Sequence, residues 1–274
     1  MKFVKPSQNN ENSEILELED SEGSGYCQKG SYYNYIKSEV ERSFENWVND
    51  TTFPYEKKKS SPFPTNFISL VLEEDMIFNN LSEYINYMNN DTKWLSYDNK
   101  KATITDLVSF TKKCKKGTKE IGAYDQLDRG SGENQLFGIG NNTKLHFDSI
   151  LAKYSGSEED FKNDFDKTDK LGMNVIERLR FYSPLNYIKK ESEIKYNSTI
   201  AKYWRIRTGL FQSDTSFTTE INLMLALKEN ENIKNVDFES VWEKEHVRAE
   251  RKDVENADAI TEWIKSIYKD LEKE

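Results

Sequence analysis

Stretches with apolar residues at helical spacing alternate along the chain with stretches that have none. From Ser31 to about Asn49, Tyr32, Tyr35, Ile36, Val40, Phe44, Trp47 and Val48 recur at intervals of three and four, which predicts an amphipathic helix. Leu81 to Met88 and Thr105 to Cys114 repeat the pattern, the second opening on Thr103 or Thr105 as its N-cap. Helices are also expected from His146 to Tyr154 and from Lys170 to Phe181, the latter from Met173, Ile176, Leu179 and Arg180. Residues 1–30 are rich in Asn, Glu, Ser and Gly and read as a mobile tail or an extended connector. Thr51 to Thr65 sets Pro54, Pro62 and Pro64 around Lys57-Lys58-Lys59 and reads as a loop. Between Gly117 and Gly140 dense glycines predict irregular structure, and no internal repeat is visible.

The last quarter has a different rhythm. Tyr203-Trp204-Arg205-Ile206-Arg207 predicts a short strand ending at Thr208-Gly209, followed by a turn at Ser213-Asp214-Thr215. Phe217, Ile221, Met224 and Leu225 then mark one face of a helix running to about Lys228. Val236 to Val241 predicts a second strand, and a loop with His246 leads to a closing helix striped by Ile260, Trp263, Ile264, Ile267 and Leu271. Strand, helix, strand, helix predicts a parallel crossover unit. Parallel strands are normally covered on both faces and flanked by further strands. The sequence before Tyr203 offers no obvious set of these, so the unit is expected to extend a sheet whose other strands lie elsewhere.

Composition narrows the function. With 36% hydrophobic and 32% charged residues, 274 residues can build one large domain or two small ones with a wide surface. The formal charge of −9 argues against nucleic acid, which needs a basic face. Cys27 and Cys114 form no CxxC pair, and with two histidines a Cys/His zinc site is not expected. Free thiols are the default and a disulfide stays open. Met1 to Asn12 has no apolar core of a signal peptide, and no run approaches ~18 apolar residues, so no membrane span is expected. A cytoplasmic setting is the simplest reading, although a fragment could have lost an export signal. Gly138-Ile139-Gly140 lacks the third glycine of a dinucleotide loop, and Asp160, Asp164, Asp166 and Asp169 lack the EF-hand glycine and closing Glu. They read as a solvated acidic face, and no cofactor is expected.

One spacing carries chemistry. An α/β-hydrolase presents its triad in the order nucleophile, acid, base, with the acid in a turn after one late strand and the His in the loop after the last. Asp214 follows the strand at 203–207, and His246 follows the strand at 236–241, 32 residues on (246 − 214). In that chemistry the carboxylate holds the imidazole tautomer while the other ring nitrogen takes the serine proton. On spacing alone, Asp214 as a turn or cap residue and His246 as a surface side chain fit as well.

The wording around these positions resembles the C-terminal end of the bacterial tannase-like serine esterases (subtype B). The matching stretches are Trp204-Arg205-Ile206-Arg207-Thr208-Gly209, Asp214-Thr215, Val236-Asp237-Phe238 and Val241-Trp242, with His246 four residues beyond. Upstream, Gly30-Ser31-Tyr32-Tyr33-Asn34-Tyr35-Ile36-Lys37 looks like an early lid helix of that family. Gly132-Glu133-Asn134, Leu136-Phe137-Gly138 and His146-Phe147 look like its acyl-binding stretch, and Ser183-Pro184-Leu185-Asn186-Tyr187-Ile188 like a segment shortly before the triad acid. The resemblance covers roughly residues 25 to 270.

It implies a partial α/β-hydrolase fold: a flexible N-terminal segment over 1–30, a mostly helical lid over 31–195, and the last two β-α units of the parallel sheet over 196–274. It implies Asp214 and His246 as triad acid and base, and Lys119 and Glu133 facing the phenolic hydroxyls of a galloyl-type or other aromatic acyl ester. Lys119 also lies in the basic stretch Lys112 to Lys119, where most lysines are simply solvated, and His146 reads as structural. The departure is that no Gly-x-Ser-x-Gly occurs, so the nucleophile and oxyanion hole are expected from an N-terminal half-protein. A truncated frame, a split gene and a deliberately cut fragment fit equally. Alone, the chain is expected to be inactive; a non-catalytic phenolic-ligand-binding module and a helical interaction module are the competing readings.

Overall fold

A computed structural model of the chain describes residues 2–5, 14–17, 29–57, 76–90, 92–115, 166–188, 199–212, 215–245 and 249–272. In chain order its elements are β1 (Lys2–Lys5), β2 (Glu14–Glu17), α1 (Ser31–Asp50), β3 (Tyr55–Lys57), β4 (Met76–Phe78), α2 (Leu81–Met88), β5 (Leu95–Asp98), β6 (Lys101–Ile104), α3 (Leu107–Cys114), α4 (Val175–Tyr182), α5 (Leu185–Ile188), β7 (Tyr203–Gly209), α6 (Phe217–Glu229), β8 (Asn235–Val241) and α7 (Asn256–Leu271). A 3-10 turn at Arg251–Asp253 precedes α7. The described strands form small two-stranded sheets, β1-β2, β3-β4, β5-β6 and β7-β8. The chain divides into a first unit of residues 1–18, 116–208 and 212–239 and a second of 19–115, 209–211 and 240–274.

In the first unit β1 and β2 pair antiparallel, with Lys2 opposite Glu17 and Lys5 opposite Glu14. Two short stretches of the segment read as tail or extended connector, residues 2–5 and 14–17, are thus extended and paired. Four-residue strands are too short to show a period of two, and their pairing is settled by the partner strand. α4 opens on Asn174 rather than in the Lys170 turn. The Asn174 side chain accepts from the Glu177 amide (2.9 Å) and the Glu177 carboxylate accepts from the Asn174 amide (2.8 Å), a reciprocal cap.

β7, α6 and β8 stand where the alternation of the last quarter predicts them. At the start of β8 the amides of Lys234 and Asn235 donate to the Lys202 carbonyl just before β7 (2.8 and 3.2 Å). Further along, Arg207 Nη1 donates to the Asp237 carbonyl (2.9 Å), so the two strands advance together and run parallel. Ile188, Ala226 and Leu227 form a buried core, with Leu185, Trp204, Ile206, Leu223, Ile233 and Val236 packed on it. α6 is buried on most sides, through Phe217, Ile221, Met224, Leu225, Ala226 and Leu227.

Only one face of the β7-β8 pair is apolar. On the alternate positions Arg207 Nη2 donates to Asp237 Oδ2 (2.7 Å), its Nε lies 3.6 Å from Glu239 Oε2, and Arg205 Nε lies 3.7 Å from Asp237 Oδ2. An arginine–carboxylate ladder therefore occupies the face that continuous parallel-sheet burial would make apolar. Covering of that face therefore takes the form of ion pairing across the strands rather than apolar packing.

In the second unit α1 buries Tyr32, Tyr33, Val40, Ser43 and Phe44. Two of its carboxylates reach the hairpin β5-β6: Glu41 accepts from the Ile104 amide (2.9 Å) and Glu45 from the Ala102 amide (3.0 Å). They satisfy donors that a strand edge would otherwise leave open. The hairpin turns through Asn99 and Lys100, both at positive φ (50° and 64°), with Asp98 opposite Lys101. Those dihedrals define a type I′ turn whose second position is usually glycine, so the pattern gave no hairpin signal here. The loop expected over 51–65 contains β3, paired with β4 from Tyr55↔Phe78 to Lys57↔Met76.

α2 and α3 fall on the predicted helices. The N-cap of α3 is Asp106, not Thr103 or Thr105: its carboxylate accepts from the Val108 and Ser109 amides (both 2.9 Å). The core of this unit is aromatic. Phe44 meets Trp242 edge-on at 4.9 Å between ring centroids, and Trp47 meets Tyr84 at 4.3 Å. Arg251, in the turn before α7, pairs with Asp50 at the end of α1 (2.6 Å).

Candidate active site

Asp214, His246, Lys119 and Glu133, and with them His146 and its helix, lie outside the described residues. The backbone leading into Asp214 and His246 is described. Past the end of β7, the Leu210 amide donates to the Val241 carbonyl (3.0 Å) and the Phe211 amide to the Lys244 carbonyl (2.9 Å). Phe211 stands three residues before Asp214, and Lys244 two before His246. The backbone leading towards Asp214 is thus hydrogen-bonded to the backbone leading towards His246.

Gly209 makes this approach possible. A Cβ at that position would lie 2.0 Å from the Glu245 carbonyl oxygen and 2.3 Å from that of Lys244, a backbone collision in which neither side has a flexible end to move. A glycine closing a strand where another backbone comes close is a signal sequence reading can use; the Thr208-Gly209 pattern alone marks only the end of the strand. Beyond it, in the first unit, Gln212 ties the residues that flank Ser213-Asp214. Its Oε1 accepts from the Thr215 amide (2.9 Å) and its Nε2 donates to the Thr215 carbonyl (3.1 Å).

The stem before His246 is anchored by a polar group that sequence reading missed. Glu243, directly after the buried Trp242, takes positive φ (58°). Its carboxylate accepts from Lys57 Nζ (3.0 Å) and from the Tyr84 hydroxyl, while Trp242 Nε1 donates to the Tyr84 oxygen (2.7 Å). The Glu243 side chain is only 6% exposed, so this pairing fixes a carboxylate that water does not screen. Lys57 Nζ also sits 4.8 Å from the centre of the Phe211 ring, linking both stems to one cation. A residue 186 positions from its partner leaves no mark in local spacing.

Two groups nearby have raised pKa values. Burial, then the Glu243 charge, pushes the Tyr84 phenol well above its ordinary range. Burial, and again Glu243, pushes the Cys114 thiol up. Both shifts disfavour the charged form of these groups. A cavity of about 40 Å³ lined in part by Ser43, Trp47, Ser240 and Trp242 has room for water but not for an aromatic ring. Among the described residues no group of three His, Cys, Asp or Glu could hold a metal ion, and no helix is long and apolar enough to cross a membrane.

No protein-family model matches the chain, and no curated protein matches it. Solved structures do. The tannase of Fusobacterium nucleatum superposes with a TM-score of 0.56 at 22% identity over 96% of this chain and 42% of its own. A tannase from Lactobacillus plantarum gives 0.55 at 21% identity over 92% and 40%. A tannin acyl hydrolase in complex with ethyl gallate gives 0.54 at 20% identity over 96% and 42%. The chain spans about two fifths of the length of these structures. At this identity the likeness is one of fold: a mixed helix and strand arrangement with small sheets, similar to that of tannases.

Proposed function

We propose that the chain is the acid- and base-bearing part of a serine ester hydrolase of the tannase kind, acting on galloyl-type or other aromatic acyl esters. The observation that carries this reading is the joining of the two stems, Phe211 to Lys244 beside Gly209. It supports Asp214 accepting from one ring nitrogen of His246 while the other takes the proton of a serine. The fold likeness adds the reaction class, and the tannin acyl hydrolases solved with ethyl gallate and with 3,4-dihydroxybenzoate suggest an aromatic acyl substrate. Lys119 and Glu133 would meet its phenolic hydroxyls, one donating and one accepting. In this reading residues 31–195 form the lid and 196–274 the end of the hydrolase core.

No Gly-x-Ser-x-Gly occurs in the 274 residues, so the nucleophile and its oxyanion hole come from polypeptide outside them. That same absence favours the second reading, a module that binds phenolic ligands without hydrolysing them. By itself the chain is expected not to hydrolyse methyl gallate and not to label with a fluorophosphonate, which needs an activated serine.

Proton NMR tests the pair directly, because only two imidazoles titrate and His146→Ala assigns them. A carboxylate beside His246 stabilises the imidazolium, so Asp214→Asn lowers the His246 midpoint by about one pH unit. An unchanged midpoint rejects the triad assignment. Gallate binding without turnover, after the nucleophile-bearing part is supplied, selects the second reading.

A further inference from the structure

α7 has sixteen residues and buries none of them. Ala259, Trp263 and Ile267 are half-buried. The row beside them is bare, with Ile260 44%, Ile264 42%, Tyr268 64% and Leu271 44% exposed. These four follow one another at spacings of four, four and three, in a single strip about 16 Å long. The charges Asp258, Glu262, Lys265 and Lys269 fall on the opposite side of the helix, where Glu262 pairs with Lys265 (2.7 Å). A helix of this length is marginal in water on its own propensity and draws its stability from packing an apolar face.

We propose that this strip is the docking face for the nucleophile-bearing part of the esterase, a polypeptide outside these 274 residues; the inference rests on the function proposed above. The similar solved chains continue through more than as much polypeptide again as this chain covers, since it spans 40–42% of them. A partner of that size supplies an extended surface in which the strip is one part. The charged side of α7 carries two acids against two bases in Asp258, Glu262, Lys265 and Lys269. It lacks the basic excess of a helix that lies on a lipid surface. Four side chains are also well short of the ~20–30 residues a side that hold a standard protein pair, which disfavours a dimer through the strip alone.

The test co-expresses the full chain with the part of the Fusobacterium nucleatum tannase that has no counterpart in it. The wild-type chain should copurify with that part, and Ile260→Ser/Ile264→Ser should weaken the complex by about tenfold or more. Both side chains are exposed, so circular dichroism and melting midpoint of the variant should match the wild type. Equal affinity of variant and wild type overturns the proposal, as does the absence of any complex. It is overturned too if the variant abolishes dimerisation of the lone chain, or its binding to phosphatidylglycerol vesicles. Methyl gallate hydrolysis is read separately. A complex that needs the strip but does not hydrolyse keeps the docking face and rejects the esterase reading; full hydrolysis by the double variant does the reverse.

Discussion

α6 and α7 follow the two parallel strands, are similar in length, and differ in almost everything that burial measures. α6 encloses Phe217, Ile221, Met224, Leu225, Ala226 and Leu227, apolar around most of its circumference. α7 keeps one apolar strip and encloses nothing. In sequence each shows isoleucine, leucine and aromatic residues at helical spacing, and each reads as packed. The contrast teaches that an amphipathic pattern states the need for a partner without stating that the partner is present.

The largest effect expected from this contrast is on the buried side. Leu227→Ala removes a fully buried side chain from the first unit's core and should cost about 2–5 kcal/mol in urea unfolding. If it costs no more than a substitution on α7, the two helices do not differ in kind. Next, Gly209→Ala drives a Cβ into the Lys244–Glu245 backbone and should cost about 1–3 kcal/mol. It should also move the His246 resonance, which a substitution remote from both stems would leave in place.

Alkaline pH asks whether the second unit is tightly packed apart from α7. Burial raises the Tyr84 phenol well above 10.0, raises Tyr32, and pushes Tyr35 up to about 12. A folded-state pKa above the unfolded one means stability complete below pH 10.0 and lost as pH rises from there through the folded values. The melting midpoint should therefore fall steadily above pH 10.0, and less steeply in Tyr84→Phe. A flat midpoint would mean that Tyr84 is open to water.

Asp106→Ala removes the α3 cap and should cost about 1 kcal/mol by thermal melting. The smallest change is expected from Ile264→Ser alone in the lone chain, about 0.5 kcal/mol or less. A larger loss would show that the strip of α7 already has cover, and would remove the contrast with α6.

Much of the helical content was legible because it rests on local spacing. Leu81 to Met88 stands as read, and the segments from Ser31, from Leu107 and from Phe217 differ from their reading by a turn or less. The strands 203–209 and 235–241 showed themselves through branched and aromatic residues. β1 to β6 did not, since three or four residues cannot establish a period and the Asn99-Lys100 turn lacks its usual glycine. For the site, the sequence offered Asp214 and His246 by order and spacing, and it offered Lys119 and Glu133 only through resemblance.

What the sequence determined by itself is the alternation of strand and helix after Tyr203, because repeating contacts between near neighbours write their period into the chain. Only tertiary structure decided that Phe211 meets Lys244, that Glu243 closes on Lys57 and Tyr84, and that α6 is enclosed while one apolar strip of α7 is bare. Those contacts join residues from 33 to 186 positions apart (244 − 211 and 243 − 57). Their energy depends on what else fills the surrounding space, and that is not encoded in the spacing of either partner.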